Sequence, residues 1–501
     1  MTGKAKTLMV QGTMSNAGKS MTVAGLCRYF KRQGLRVAPF KSQNMALNSF
    51  ITDDGLEMGR AQVVQAEACG IAPDVRMNPI LLKPEGDAGS QVIVNGKVRG
   101  SMKAVDYARY RKNLIPDVRM AFESLAAEND LVIIEGAGSP AEINLGQDDL
   151  VNMGMARIAE APVLLVGDID LGGVFAQLYG TMELLEPEDR RRVRGLVVNK
   201  FRGDASILRP GLGMLEELCG VPVVGVMPYL SVDIDDEDSL ATRLSAAAGA
   251  LLDIAVIRVP RLSNFTDFNE LSRHPAMGVR YVDDPRSLGR PDLVVLPGTK
   301  STMGDLAWLK ESGIASCIRA LASAGTPVLG VCGGYQMLGE RLEDPVGVEG
   351  GGAMDGLGLL PASTVFSSAK TRSRATGRFH IGSGFFSCLD GLQTQGYEIH
   401  MGATRVAGAS PLSLEIEGGE HEDGSVAGDI MGSYLHGLLD AAPVVAALAD
   451  ALLARRGLPP MGAQVPDASE HKEAEYEKLA DAVEASFDTA MLARIVEEGV
   501  R

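Results

Sequence analysis

The sequence predicts an α/β protein built from two successive parallel-sheet domains. Three observations predict it. Short apolar runs alternate with longer helical stretches, the pattern of strands joined by right-handed crossovers. A glycine-rich turn, Gly12-Thr13-Met14-Ser15-Asn16-Ala17-Gly18-Lys19-Ser20, lies between the first strand and the first helix. A second strand series begins near residue 254 and carries a cysteine on a glycine-flanked turn, Gly330-Val331-Cys332-Gly333-Gly334.

In the first half, Leu8–Val10, Val37–Pro39, Leu131–Ile134, Val163–Val166, Leu196–Val198 and Val223–Val226 read as buried strands. The acidic stretch 231–238 and the small-residue run 245–250 then place a junction over 231–253. Beyond it, Ile254–Val259, Val279–Val282, Leu293–Leu296 and Val328–Val331 read as a second strand set. Short apolar runs among glycines between 343 and 430 suggest antiparallel strands, and 441–457 and 470–498 look helical. The expected division is a nucleotide-binding domain over 1–230, a linker over 231–253, a second α/β domain over 254–445 and a helical extension over 446–501.

Composition narrows the class. A chain of 501 residues exceeds one compact core. Its net charge of −16 argues against a nucleic-acid-coating protein, which needs a basic footprint. Six cysteines without CxxC spacing exclude a zinc ribbon or a disulfide framework. The opening MTGKAKTLMVQGT runs directly into a strand, and no apolar run approaches the ~20 residues that span a bilayer. A cytoplasmic enzyme that uses neither membrane nor nucleic acid is expected. A homo-oligomer is compatible with the sequence, which sets no oligomeric state.

The turn after the first strand has the context of a phosphate loop. Backbone N–H groups at the following helix N-terminus favour an anion. Lys19 would place charge on the β/γ-phosphates, and Ser20 would ligate Mg²⁺. The spacing departs from GxxxxGK[ST], because Gly12 falls one residue early and Thr13 takes its place. Glu135 and Asp168 end two later strands; each is read as a Mg²⁺ ligand or as a solvated turn carboxylate. Asn199 ends another strand, where its amide would pair with adenine or close a plain turn. Lys41 precedes an amide-rich run, Gln43-Asn44-Met45-Ala46-Leu47-Asn48-Ser49, suited to a substrate rich in carboxylates or amides. Asp53 and Asp54 follow and could assist metal binding.

The segment Val328–Leu338 reads as strand, sharp turn and helix. A nucleophile on such a turn is exposed, and the helix N-terminus stabilises a thiolate. Cys332 is therefore the expected nucleophile, with the Gly333 N–H facing a developing oxyanion and Gln336 close behind on the helix. The stretch around Gly298, after the Leu293–Leu296 strand, would supply a second oxyanion donor or a substrate contact. His436 is favoured as base, with His400 the other candidate; the remaining histidines are expected at the surface.

These residues match known families. The C-terminal half resembles class I glutamine amidotransferase domains, and the N-terminal half resembles the dethiobiotin-synthetase-type P-loop fold. Together with PFKSQNMALNS, DGLEMGRAQ, EGAGSPAEINL, NKFRGD, SNFTDF and GYEIHMG, the chain is similar to the cobyric acid synthase family over almost its whole length. The resemblance implies ATP and Mg²⁺ as cofactors, and glutamine and adenosylcobyrinic acid a,c-diamide as substrates. It implies phosphorylation of corrinoid carboxylates, then amidation of the b, d, e and g side chains by ammonia from a Cys332–His436 glutaminase. Two positions depart from pattern. Class I amidotransferases usually carry Glu two residues after the histidine, where this chain has Leu438, so the group that orients His436 is open. Leu171 stands where an Arg is expected. A partitioning-type ATPase switch is the alternative from another class, and it leaves Cys332 without a role.

Overall fold

The computed structural model describes residues 5–85, 89–142, 149–235, 249–416, 419–462 and 468–500. The chain forms two compact units. Unit 1 comprises Met1–Ala46, Glu57–Glu237 and His471–Arg501; unit 2 comprises Leu47–Leu56 and Asp238–Glu470.

Unit 1 is built on six strands: β1 (Lys6–Gly12), β2 (Val37–Phe40), β3 (Leu131–Glu135), β4 (Val163–Asp168), β5 (Val193–Phe201) and β6 (Val223–Pro228). Each expected apolar run falls inside one of them. They lie in the order β6-β5-β4-β1-β3-β2, with every pairing parallel. Parallel pairing places all carboxyl ends on one side, and β1 has β3 and β4 as neighbours. Ligands of open α/β sheets bind at such a crevice. The ends of β1, β3, β4 and β5 deliver Gly12, Glu135, Asp168 and Asn199 there.

Unit 2 contains β7 (Leu252–Ile257), β8 (Met277–Val282), β9 (Leu293–Leu296), β10 (Val328–Val331), β11 (Ser425–Ala427) and β12 (Ile430–Ser433). Their order is β8-β7-β9-β10-β12-β11, parallel except for the β11–β12 pair. The expected Ile254–Val259 strand starts and stops two residues earlier. The antiparallel region is a second sheet dominated by the long Ala362–Phe379 and Gln393–Val406 pair.

Two expected boundaries change. The 446–501 stretch does not act as one extension. Helix Ala442–Arg455 buries Val444, Val445, Leu448 and Leu452 in the unit 2 core, whereas Tyr476, Leu479, Val483, Phe487 and Leu492 complete the core of unit 1. The expected 470–498 helix is two helices, Ala468–Ser486 and Thr489–Glu498, the second capped by Asp488 on the Met491 N–H. A buried Arg60–Asp235–Lys472 cluster and the Arg28 pairs with Glu473 and Glu477 fix the first of them. The other change is that 47–56, inside the expected nucleotide domain, belongs to unit 2. Much of the expected linker, residues 236–248, lies outside the described residues, as does the end of the EGAGSPAEINL motif. Among the described residues no helix is long and apolar enough to cross a membrane.

Candidate active site

In unit 1 the β1 strand turns at Gly12 into the loop 13–18 and then into helix Lys19–Arg32. Gly18 takes φ +95°, and a Cβ there would stand 1.9 Å from Asn199 Nδ2. Asn199 Nδ2 donates to Ala17 O at 2.9 Å, so this amide N–H clamps the loop. Of the two tasks expected of it, base pairing or closing a turn, this bond serves the second. The Thr13 N–H is tied to Val166 O, and its hydroxyl to Gln177. Lys19 arches back, its Nζ donating to Met14 O and Gly138 O at 3.0 and 3.2 Å. Lys200 holds Asn16 O and the Asp168 carboxylate, each at 2.7 Å.

Glu135 is the hub beneath this loop. It is fully buried and accepts from Ser20 Oγ at 2.8 Å, Lys41 Nζ at 3.0 Å and Gln65 Nε2 at 2.5 Å. Burial opposes its charge, but the Lys41 ammonium and these donors hold its carboxyl below the usual range. Of the three expected metal ligands, Ser20 and Glu135 converge. Asp53 does not join them: it sits at the exposed end of the 47–56 hairpin in unit 2 and pairs with Arg374 at 3.3 Å. Its acidic tip faces solvent rather than oxygen ligands. Leu171 is 72% exposed on the loop after β4. Arg202, in the NKFRGD motif, pairs with Asp170 and lies 3.5 Å over the Tyr229 ring.

In unit 2 the β10 strand ends at Cys332, which adopts φ +51° and ψ −109° before helix Gly333–Leu338. A non-glycine residue in that region stores roughly 1–3 kcal/mol of strain and persists only when its surroundings enforce it. Here they do. The Cys332 N–H donates to Ser433 O at 2.8 Å, and a Cβ on Gly334 would collide with Leu296 O at 2.0 Å. Gly333 is equally constrained, with Thr299 Cγ2 2.7 Å from its Cβ position. Gln336 is held by Thr302 Oγ1, Met401 O and Tyr434 OH.

His436 is buried beside Cys332 and lies 2.7 Å through Nδ1 from Asp267 Oδ2. Asp267 Oδ1 accepts the Gly437 N–H at 3.2 Å. Burial works against charge on the imidazole, yet the Asp267 carboxylate and the Cys332 sulfur push it up to about 10. Gly298 borders the ring, its Cβ position 3.0 Å from His436 Cε1. His400 is separate. It stacks on Tyr434 at 3.7 Å, binds Gly402 O, and is pushed down to about 4 by burial. His274, expected at the surface, is buried, and its Nδ1 accepts from the Ala276 N–H.

Sequence reasoning missed Asp267, which fills the part left open by Leu438. Leu438 is itself core, its carbonyl accepting from Thr394. The available signal was a carboxylate amid apolar neighbours in Phe265-Thr266-Asp267-Phe268, an unfavourable burial unless a partner waits for it.

Two family models match the chain: a CobQ/CobB/MinD/ParA nucleotide binding domain over residues 8–239, and a CobB/CobQ-like glutamine amidotransferase domain over residues 253–444. A cobyric acid synthase from Ruminiclostridium cellulolyticum is 55% identical, covering 99% of this chain and 98% of that protein. One from Lachnoclostridium phytofermentans is 52% identical, covering 99% and 100%. One from Yersinia enterocolitica is 50% identical, covering 98% of each. With both domains matched in order and relatives aligned from end to end, the chain belongs to the cobyric acid synthase family and is a glutamine amidotransferase ligase.

Proposed function

We propose that this ligase converts the b, d, e and g carboxylates of adenosylcobyrinic acid a,c-diamide to amides, using ATP and glutamine, in cobalamin biosynthesis. One observation carries the nitrogen-supplying half: buried beside Cys332, which sits on a strained, glycine-walled turn, His436 is bonded by the Asp267 carboxylate. Cys332 Sγ attacks the side-chain amide carbon of glutamine, and the Gly333 N–H, with backbone near Gly298, stabilises the oxyanion. Held as imidazolium beside the Cys332 sulfur, His436 keeps the proton the thiol gives up and donates it to the leaving ammonia. Asp267 keeps the imidazole oriented and compensates its charge. Water then hydrolyses the γ-glutamyl thioester and frees Cys332.

The other half makes a leaving group. A substrate carboxylate oxygen attacks the γ-phosphorus of ATP and expels ADP, and ammonia then displaces phosphate from the acyl phosphate. Gly12, Thr13 and Gly18 shape the loop around the phosphates, and Lys19 swings from its carbonyl partners onto them. Asn199 holds that loop in shape. The residues fit Mg²⁺: Ser20 Oγ and a Glu135 oxygen lie together, and the buried Gln65 Oε1, whose amide nitrogen also bonds Glu135, has no hydrogen-bond partner among the described residues. Ser20 and Glu135 would hold the ion, which supplies charge neutralisation for phosphoryl transfer. Lys41, on the same Glu135 oxygen, offsets that carboxylate.

The test incubates the protein with ATP, the a,c-diamide and either glutamine or ammonia, and counts amides by product mass. Cys332→Ser should lose glutamine use and keep ammonia use. Lys19→Ala should lose both. Normal glutamine-driven amidation by Cys332→Ser removes the cysteine from the reaction, and full activity of Lys19→Ala removes the phosphate loop.

A further inference from the structure

The segment 47–56, which carries the first strand (Ser49–Ile51) of a short hairpin and is called the hairpin below, is placed unusually. The residues on either side, Ala46 and Glu57, belong to unit 1, yet the hairpin belongs to unit 2. Its Ser49 and Ile51 are fully buried. The Ser49 carbonyl accepts from Tyr397 OH at 3.1 Å, and the Ser49 N–H donates to Asn264 Oδ1 at 3.3 Å. Asn264 Nδ2 closes the ring of bonds by donating to Tyr397 OH at 3.1 Å. Phe50 meets the Tyr397 ring edge-on at 5.6 Å, and Ile51 packs with Tyr397 and Ile399.

The far side of Tyr397 is occupied by His436. The two rings stack at 5.3 Å and 21°. The same neighbourhood holds the other members of the site: Ile399 O accepts from Cys332 Sγ at 3.6 Å, and Asn264 directly precedes the turn Phe265–Phe268 that carries Asp267. One face of the His436 imidazole is thus set by a ring whose own hydroxyl and edge are fixed by hairpin backbone and side chain. The two residues just before Ser49 are packed differently. Leu47 and Asn48 line a cavity of about 360 Å³ with Leu262, Phe265 and Trp308.

We propose that Tyr397 is a positioning residue for His436, and that the 47–56 hairpin sets its position. The inference rests on the reading of His436 as the base above. Tyr397 makes no bond to reacting atoms in this reading; it restricts where the imidazole stands between Asp267 and Cys332. Because the hairpin is spliced between residues of the other unit, the segment that orders the glutaminase base is drawn from the nucleotide-binding sequence.

The experiment uses the full chain and measures glutamine hydrolysis and ammonia-dependent amidation side by side. Tyr397→Phe keeps the ring and removes the hydroxyl held by Ser49 and Asn264. Its kcat for glutamine should fall about tenfold, the effect of loosening a reacting geometry, with KM and ammonia-dependent amidation unchanged. The pH profile should shift as well, because His436 is then held differently against Asp267, Cys332 and His400, the titratable groups around it. Phe50→Ala, which touches Tyr397 from the hairpin side alone, should move kcat and pH profile the same way by a smaller factor. Wild-type kcat and pH profile in both variants overturn the proposal. So does an equal fall in the ammonia-driven reaction, which assigns Tyr397 to folding. A wild-type protein that does not hydrolyse glutamine refutes the proposed function itself, and is distinguished because it appears before any variant is compared.

Discussion

Replacing Asp267 by Asn isolates the part of the glutaminase that the sequence left open. The carboxylate does two things at once: Oδ2 faces His436 Nδ1 at 2.7 Å and Oδ1 accepts the Gly437 N–H at 3.2 Å. Both partners are donors, and asparagine offers one acceptor oxygen and one NH₂. One donor must then face another donor, or the imidazole must move its proton to Nε2. The second outcome abolishes its ability to take the Cys332 proton. The electrostatic loss is also large. The imidazole stands at about 10 against an ordinary 6.5, equivalent to about 5 kcal/mol in favour of the imidazolium at 1.36 kcal/mol per tenfold. Burial disfavours that charge; the Asp267 carboxylate and then Cys332 favour it. Without the carboxylate, burial dominates and the imidazole should fall below 6.5.

We expect Asp267→Asn to lower kcat for glutamine by about 10²–10⁴-fold, the range seen when a triad loses its orienting carboxylate, with ammonia-dependent amidation intact. Stability provides a second reading. A raised folded pKa contributes stability that is fully present below 6.5 and is lost as pH rises through about 10. The stability gap between wild type and variant should therefore be widest at pH 6 and narrow toward pH 10, measured by urea denaturation. Glutaminase kcat within threefold of wild type, or a gap independent of pH, refutes the reasoning.

Three further outcomes follow from unit 1. Gly18→Ala forces a side chain into φ +95° and against Asn199 Nδ2 at 1.9 Å; calorimetry should show ATP affinity lost while glutamine hydrolysis persists. Glu135→Gln leaves Lys41 buried beside a neutral group, a loss of about 3–5 kcal/mol for a broken buried pair, together with loss of amidation from either nitrogen source. Its sign with pH is opposite to that of His436: the depressed Glu135 carboxyl stabilises above its ordinary value of 4.5 and loses that effect as pH falls, so the denaturation difference should shrink on acidification. Truncation after residue 470 removes Tyr476, Leu479, Val483, Phe487 and Leu492 from the unit 1 core. At about 2–5 kcal/mol for each large buried side chain lost, the deficit exceeds the stability of an ordinary domain, so the truncated chain should be insoluble; a soluble, ATP-binding product contradicts the packing.

What could be read in the sequence, and what could not, divides along the range of the interaction. All six strands of the unit 1 sheet and the first four of the unit 2 sheet were visible because a buried parallel strand is a local apolar run; the short β11 and β12, which carry few apolar residues, were not. The Cys332 turn and the Lys19 loop were visible because their chemistry needs neighbouring residues: glycines where the backbone must turn, a helix N-terminus where charge must rest. Asp267 and His436 are 169 positions apart, and no periodicity reports a pair at that distance. The same holds for the C-terminal helices. Their amphipathic pattern announced helices but not which core they cover, and they return to pack on β1 and its helix. Asp53 shows the same limit, since its nearness to Lys41 along the chain does not tell which unit it joins. The chain leaves unit 1 after Ala46, and Asp53 travels with the hairpin to Arg374. That departure is also informative. A ten-residue excursion from one unit into another must close a loop and order its residues, at about 1–2 kcal/mol of backbone entropy each. Burial of Ser49 and Ile51, with bonds to Tyr397 and Asn264, offsets that cost at the one place where a histidine must be held between a carboxylate and a thiol.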